Sequence, residues 1–270
     1  MPEEKKQDLM IPKENLPEGI EMKAYQELLQ ENLEGIENPE FPLVKILHAG
    51  ALAFLMPADE DGKIQQIKEF SGIIILHQRV NAYWEKSFTE TGGGVLPDCA
   101  SMDGKNGSVH GDCSKCKFNQ FGSDEKETGK ACKNMIRVFV RLGSDLLPSL
   151  LTIPPTSMRE FNNYMVRLLS KKKAAISVVT KFSLIGGKNK AGIDYSKLVC
   201  SMEKKTEKQE FAEALVMKTM FTQGMRQRAI DSTEYGSGEE KLKEEKPKPK
   251  EPEPEKPVKK PKPGEIEAPF

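Results

Sequence analysis

Apolar residues recur along this chain with two different periods, which predict a mixture of strands and helices. Strand-like runs occupy residues 43–54, 64–80, 135–141, 146–153, 175–185 and 193–202. A polar turn at 59–62 separates the first two runs, and a Gly-Gly turn at 186–187 separates the last two. In the run 135–141 the alternation places Arg137, Phe139 and Arg141 on one face of the strand.

Helical periodicity appears in three places. Residues 22–33 place their apolar side chains on one side of a helix, and residues 206–230 form a closing helix. Between them, Thr156 and Ser157 can cap a helix, since Ser157 and Glu160 have the spacing of a capping box. The predicted buried stripe of that helix is Met158, Phe161, Met165, Leu168 and Leu169.

The order of these elements predicts an α+β fold. Strands come in groups with helices between and after them, whereas a doubly wound sheet needs regular strand–helix alternation. Five or more short strands around one core are compatible with a small barrel of the OB type. We therefore predict an OB-like antiparallel β-barrel with flanking helices over residues 20–235.

The two ends of the chain have a composition that is typical of disorder. Residues 1–19 are rich in charge and proline and predict a flexible acidic arm. Residues 239–270 contain eight prolines and eighteen charged residues, so a solvated, extended tail is expected from 236 to 270.

Composition excludes a membrane protein of the helical kind. The mean hydropathy is -0.55 and no run of about 18 apolar residues occurs. The first residues lack the apolar segment of a secretory signal. These features predict a cytoplasmic protein.

Charge is balanced overall but unevenly distributed. The chain has 41 basic and 41 acidic residues, yet residues 1–40 carry a net charge of -7 and residues 41–238 carry +7. Residues 130–182 alone contain ten Lys or Arg against Asp145 and Glu160. This basic stretch predicts a surface that neutralises phosphates, and the alternative is a set of solvated helix faces.

Four cysteines predict a structural zinc site. Cys99, Cys113, Cys116 and Cys132 follow the pattern C-x13-C-x2-C-x15-C inside a loop-rich insertion at about 88–133. Four thiolates would bind one Zn²⁺ per chain in a closed zinc ribbon and replace the apolar core that these loops lack. The less favoured alternatives are disulfides, a redox-active pair, or His110 in place of one cysteine. Cys200 is expected to be a core thiol.

Aromatic and basic residues occur together in and around the insertion. Cations along a backbone and flat rings under bases are the combination that holds single-stranded nucleic acid. The candidate contacts are Tyr83, Trp84, Lys115, Lys117, Phe118, Phe121, Lys130, Lys133, Arg137, Phe139, Arg141 and Lys181. For each ring the alternative is a place in the core, above all for Trp84 and Phe139.

The last seven residues, Gly-Glu-Ile-Glu-Ala-Pro-Phe, resemble the C-terminal tip of bacterial single-stranded DNA-binding proteins. In that family a disordered tail ends in acidic residues, a hydrophobe and a terminal Pro-Phe. The resemblance implies that this tip binds partner proteins through Glu265, Ile266, Glu267, Pro269 and Phe270. The family usually has a run of aspartates, whereas this tip has two separated glutamates.

The cysteine-rich block also resembles a group of bacteriophage proteins. The shared residues are Asp98-Cys99, Gly111-Asp-Cys-Ser-Lys-Cys116, Asn119-Gln-Phe-Gly-Ser123 and Gly129-Lys-Ala-Cys-Lys-Asn134. This resemblance implies a zinc site and a phage origin.

Together these features predict a non-enzymatic single-stranded DNA-binding protein of phage replication or recombination. It would recruit replication or recombination proteins through its tip, in the host cytoplasm, as a monomer or an oligomer. No Walker A, Gly-x-Gly-x-x-Gly or His-Glu-x-x-His sequence is present, and no duplex-reading motif. The alternatives are a zinc-ribbon adaptor that docks on a replication or transcription complex, and a recombination enzyme.

Overall fold

A computed structural model describes residues 27, 31, 40–47, 51–59, 61–86, 88–91, 94–125, 127–188 and 194–234. Residues 27 and 31 are helical, within the helix predicted at 22–33. The predicted acidic arm at 1–19 and the predicted tail at 236–270 lie outside the described residues.

The described elements confirm a mixed α+β fold. The strands are β1 (Leu43–Ile46), β2 (Phe54–Leu55), β3 (Gln66–Ile67), β4 (Glu69–Tyr83), β5 (Cys99–Ser101), β6 (Asn106–Gly107), β7 (Gly111–Asp112), β8 (Lys133–Arg141), β9 (Ser149–Ile153), β10 (Val178–Lys188) and β11 (Asp194–Lys205). The helices are α1 (Phe88–Thr91), α2 (Pro155–Ser170) and α3 (Lys208–Gln227). No helix in the described part of the chain is both long and apolar enough to cross a membrane.

One large sheet organises the molecule. Its strands run in the order β11–β10–β4–β8–β9–β1–β2–β3, and β5 pairs with the far end of β4. The strands of this sheet pair antiparallel except β1 and β9, which are parallel. The sequence predicted an antiparallel barrel and did not indicate this parallel pair. Gly72 is needed where β4 lies against β8, because a Cβ atom there would be 2.4 Å from a methyl of Val140.

The sheet curls into a half-barrel. Phe70 of β4 contacts Phe54 of β2 and Phe182 of β10, with ring centroids 4.9 and 4.7 Å apart. The hydroxyl of Ser196 in β11 donates to the carbonyl of Leu47, 3.2 Å away, just after β1. These contacts bring the two ends of the sheet towards each other, as in an OB-like barrel, although no ladder joins β3 to β11 in the described residues.

Helices α2 and α3 cover different parts of the sheet, and β8 is buried by both. Phe161 and Tyr164 of α2 share a cluster with Val138 of β8. Met217 and Phe221 of α3 belong to a second cluster that contains Phe139 of β8. From Met135 to Arg141, strand β8 is therefore buried on both faces, whereas its first two residues are half-buried.

Helix α2 begins differently from the prediction. It starts at Pro155 after Pro154, where the fixed φ of proline suits a first helical residue. Ser157 is buried and makes no capping bond; its hydroxyl instead accepts a hydrogen bond from the Leu198 N–H at 2.9 Å. Leu169, predicted to be buried, is 67% exposed, while Tyr164 is buried and hydrogen-bonds Thr180.

Candidate functional site

Aspartate side chains shape the cysteine-rich insertion (88–133). Asp103 accepts hydrogen bonds from the backbone N–H groups of Lys105 and Asn106 at 2.7 and 2.8 Å. These bonds hold the pKa of Asp103 well below its usual range. Asp124 accepts in the same way from Thr128 and Gly129. The carboxylates near the cysteines therefore stabilise turns, which explains how a loop with few apolar residues keeps a definite path.

The four cysteines of the insertion line one small cavity, together with His110. None of the four cysteines is in a disulfide; three are buried and Cys116 is half-buried. Burial, with neighbouring thiols adding to it, raises the pKa of Cys132 to about 12. Gly107 is confined by this cavity, because a Cβ atom there would lie 2.8 Å from the Cys99 sulfur and 3.8 Å from the Cys113 sulfur.

The sulfur positions do not by themselves form a metal site. Within the described residues, no group of three or more His, Cys, Asp or Glu side chains is arranged so that it could hold a metal ion. The shared cavity nevertheless brings together the four residues with the right chemistry for Zn²⁺.

A stack of aromatic rings lies beside the cysteine cavity. Tyr83 and Phe118 stack with centroids 4.1 Å apart and planes 17° apart, and His110 packs on Phe118 at 5.1 Å. The ammonium of Lys117 lies 4.8 Å from the centroid of the Phe118 ring. Tyr83 therefore covers one face of the Phe118 ring, and His110 and Lys117 pack around the same ring.

A cleft of about 840 Å³ opens between the insertion and the sheet. Its walls come from β4, β8, the start of α2 and the turns of the insertion. The cleft is lined by Arg79, Asn81, Gly104, Lys105, Asp112, Cys113, Ser114, Asn119, Phe121, Asp124, Gly129, Lys130, Cys132, Lys133, Asn134, Pro155 and Met158. This set contains four basic and two acidic side chains. One of the acidic side chains, Asp124, already accepts the backbone hydrogen bonds described above.

Phe121 is the one aromatic residue among those that line the cleft. Its ring is 82% exposed, and the Lys130 ammonium lies 5.6 Å from its centroid. Lys130 also donates to Asn119 Oδ1 at 3.3 Å, and Lys133 donates to the carbonyl of Lys130 at 3.3 Å. The cleft thus combines an open ring with ammonium groups that are held in place.

Three of the predicted contact residues are not available to a ligand, and for them the prediction is wrong. Arg137 is fully buried and binds both carboxylate oxygens of Glu234, at 2.6 and 2.9 Å. Arg141 is buried and paired with Glu213 of α3. Phe139 is fully buried against Phe41, with centroids 5.3 Å apart. Helix α3 and the segment after it cover this face of β8.

The remaining predicted contacts are dispersed. Lys181 is bound to Glu69 at 2.7 Å, and the indole N–H of Trp84 donates to the Val95 carbonyl at 3.0 Å. Lys115 is exposed and lies 3.9 Å from Asp112. Of the twelve residues, the cleft gathers Phe121, Lys130 and Lys133.

Sequence reasoning missed Arg79 and Lys105, which complete the basic lining of the cleft. The exposure of Arg79 follows from the alternation of β4, where His77 and Arg79 are exposed and Gln78 and Val80 are buried. That signal lay in the sequence. Nothing in the sequence indicated that β4 would face the insertion.

Comparison with known proteins gives no assignment, since no family model, curated protein or solved structure matches the chain.

Proposed function

We propose that this chain is a single-stranded DNA-binding protein and that the cleft between the insertion and the sheet is its binding site. The observation that carries the proposal is the exposed ring of Phe121 beside Lys130, in a cleft with four basic and two acidic side chains. Phage replication or recombination, in the host cytoplasm, is the setting we propose from the sequence resemblances.

Each part of the cleft has a separate role in this proposal. Arg79, Lys105, Lys130 and Lys133 neutralise phosphates, which releases counterions and supplies affinity without regard to sequence. Phe121 accepts a base on its open face, a contact that contributes about 1–3 kcal/mol in proteins that bind single strands.

Structural zinc belongs to the same proposal. Cys99, Cys113, Cys116 and Cys132 would hold one Zn²⁺ per chain, with no open position for catalysis. Cys113 and Cys132 line both the cysteine cavity and the cleft, so the metal would fix one wall of the binding site. The ion would also supply the stability that the insertion cannot draw from apolar packing.

Two further parts of the proposal rest on the sequence and on the curled sheet. The half-barrel supports an OB-like domain, a fold whose curved sheet and loops bind oligonucleotides. Glu265, Ile266, Glu267, Pro269 and Phe270 would recruit replication or recombination proteins.

Fluorescence polarisation with labelled oligo-dT tests the proposal. Neutralising four phosphates predicts a slope of about -3 in a plot of log affinity against log salt concentration, or about a 50-fold loss between 50 and 200 mM salt. Absence of binding at about 50 mM salt would contradict the proposal. If the chain instead bound a protein partner with an affinity that does not change with salt, that result would support the zinc-ribbon adaptor.

A further inference from the structure

Two asparagines form a hydrogen-bonded pair in the wall of the cleft. Asn81 of β4 and Asn134 of β8 lie directly opposite each other in the strand register. Asn134 Nδ2 donates to Asn81 Oδ1 at 2.6 Å, and Asn81 Nδ2 donates to the carbonyl of Gly104 at 3.1 Å. Both side chains line the cleft, and Asn81 is only 6% exposed.

This chain of bonds fixes which way each amide points. A backbone carbonyl can only accept, so the NH₂ group of Asn81 must face Gly104. Asn81 Oδ1 is then an acceptor, and it requires the NH₂ group of Asn134. As a result the Oδ1 atom of Asn134 and its second N–H are turned away from Asn81.

The outward atoms of Asn134 are free in the part of the chain that the structure describes. The only hydrogen bond of its side chain there is the one to Asn81. Its oxygen is not among the buried polar atoms without a partner, which in the described residues are Gln78 Oε1 and Ser149 Oγ. Asn134 Oδ1 is therefore accessible from the cleft.

We infer that Asn134 binds the hydrogen-bonding edge of a nucleobase, an inference that rests on the proposed function. A phosphate offers acceptors alone and gains nothing from an outward oxygen. A base edge offers a donor beside an acceptor, which is the pattern that complements a side-chain amide. Lys130 and Lys133 then hold the backbone while Phe121 stacks on a base.

A chemically modified oligonucleotide separates base-edge contact from phosphate and stacking contacts. Oligo-dT and an N3-methylthymine oligonucleotide of equal length have the same phosphates and ring faces, but the methyl group removes the N3–H donor. The full chain should bind the methylated strand about tenfold more weakly, the loss expected for one good contact to a base edge. Asn134→Ala should bind both strands equally, with an unchanged salt slope.

Asn163→Ala, on the exposed side of α2, is the matched control and should retain the tenfold difference. Equal binding of both strands by the unaltered protein would overturn the inference and leave the proposed function standing; this comparison does not depend on whether the Asn134 variant folds. Failure of the unaltered protein to bind oligo-dT at all would contradict the proposed function itself.

Discussion

Arg137 is fully buried, and its guanidinium donates to both carboxylate oxygens of Glu234 and to two backbone carbonyls. The alternation in β8 places Arg137, Phe139 and Arg141 on one face, and in the structure all three pack against α3 or the segment that follows it. Alternation does not tell which face meets solvent. That face is covered by α3 and by residues 228–234, which come about 90 residues later in the chain.

Removing the carboxylate that neutralises Arg137 should destabilise the fold. Glu234→Ala leaves a fully buried guanidinium without its charge partner, which we expect to lower the free energy of unfolding by about 3–5 kcal/mol. Urea denaturation followed by circular dichroism measures this change. Asp61→Ala removes an exposed pair with Lys63 and should change stability by less than about 1 kcal/mol. Equal stability of the two variants would show that Arg137 does not need Glu234.

The clustering of the cysteines was predictable from the sequence, whereas the position of the insertion against the sheet was not. The spacing predicted that four cysteines would come together, and all four line one cavity. Asp103 and Asp124 stabilise turns within the insertion. The cleft was not predictable, because its walls come from β4, β8 and α2, and local patterns carry no information about which elements meet.

Loss of the central cysteine pair should remove the proposed metal. We expect one zinc per chain in the purified protein, and none in Cys113→Ser with Cys116→Ser, because two remaining thiolates cannot complete a tetrahedral shell. Metal analysis measures the content, and proteolysis should then cut within residues 88–133 first.

Cys200→Ala is the control for this pair, since Cys200 is a buried thiol of β11 far along the chain from the insertion. It should retain full zinc. Zinc-free wild-type protein from cells grown with adequate zinc would contradict the metal site.

The charge of the whole molecule becomes informative once it is assigned to positions in the structure. Residues 130–182 carry ten basic side chains, but two of the arginines are buried in ion pairs and Lys181 is bound to Glu69. Lys130 and Lys133 join Arg79 and Lys105 in the cleft, while the lysines at 171–173 follow α2. The net charge of a segment predicts that a basic surface exists. Only the fold shows which of the basic residues lie together on that surface.

Deletion of the last seven residues tests whether partner recruitment depends on the tail while DNA binding does not. Removing residues 264–270 should leave the affinity for oligo-dT equal or higher, because two acidic side chains that would compete with phosphate are gone. The same deletion should abolish partner recruitment. Polarisation and pull-down with replication proteins measure the two effects. Removing residues 251–257, an acidic segment of equal length, should preserve recruitment. A large loss of DNA affinity in the first deletion would contradict the assignment.

A paired comparison of lysine variants tests most directly whether the cleft is the binding site. Lys130→Ala with Lys133→Ala removes two cleft charges, whereas Lys171→Ala with Lys172→Ala removes two exposed charges outside it. Both variants have the same net charge. We predict that the cleft variant alone loses affinity for oligo-dT and that its salt slope becomes shallower by about 0.7 for each lysine. Equal losses in the two variants, or a larger loss in the variant of residues 171 and 172, would contradict binding in the cleft.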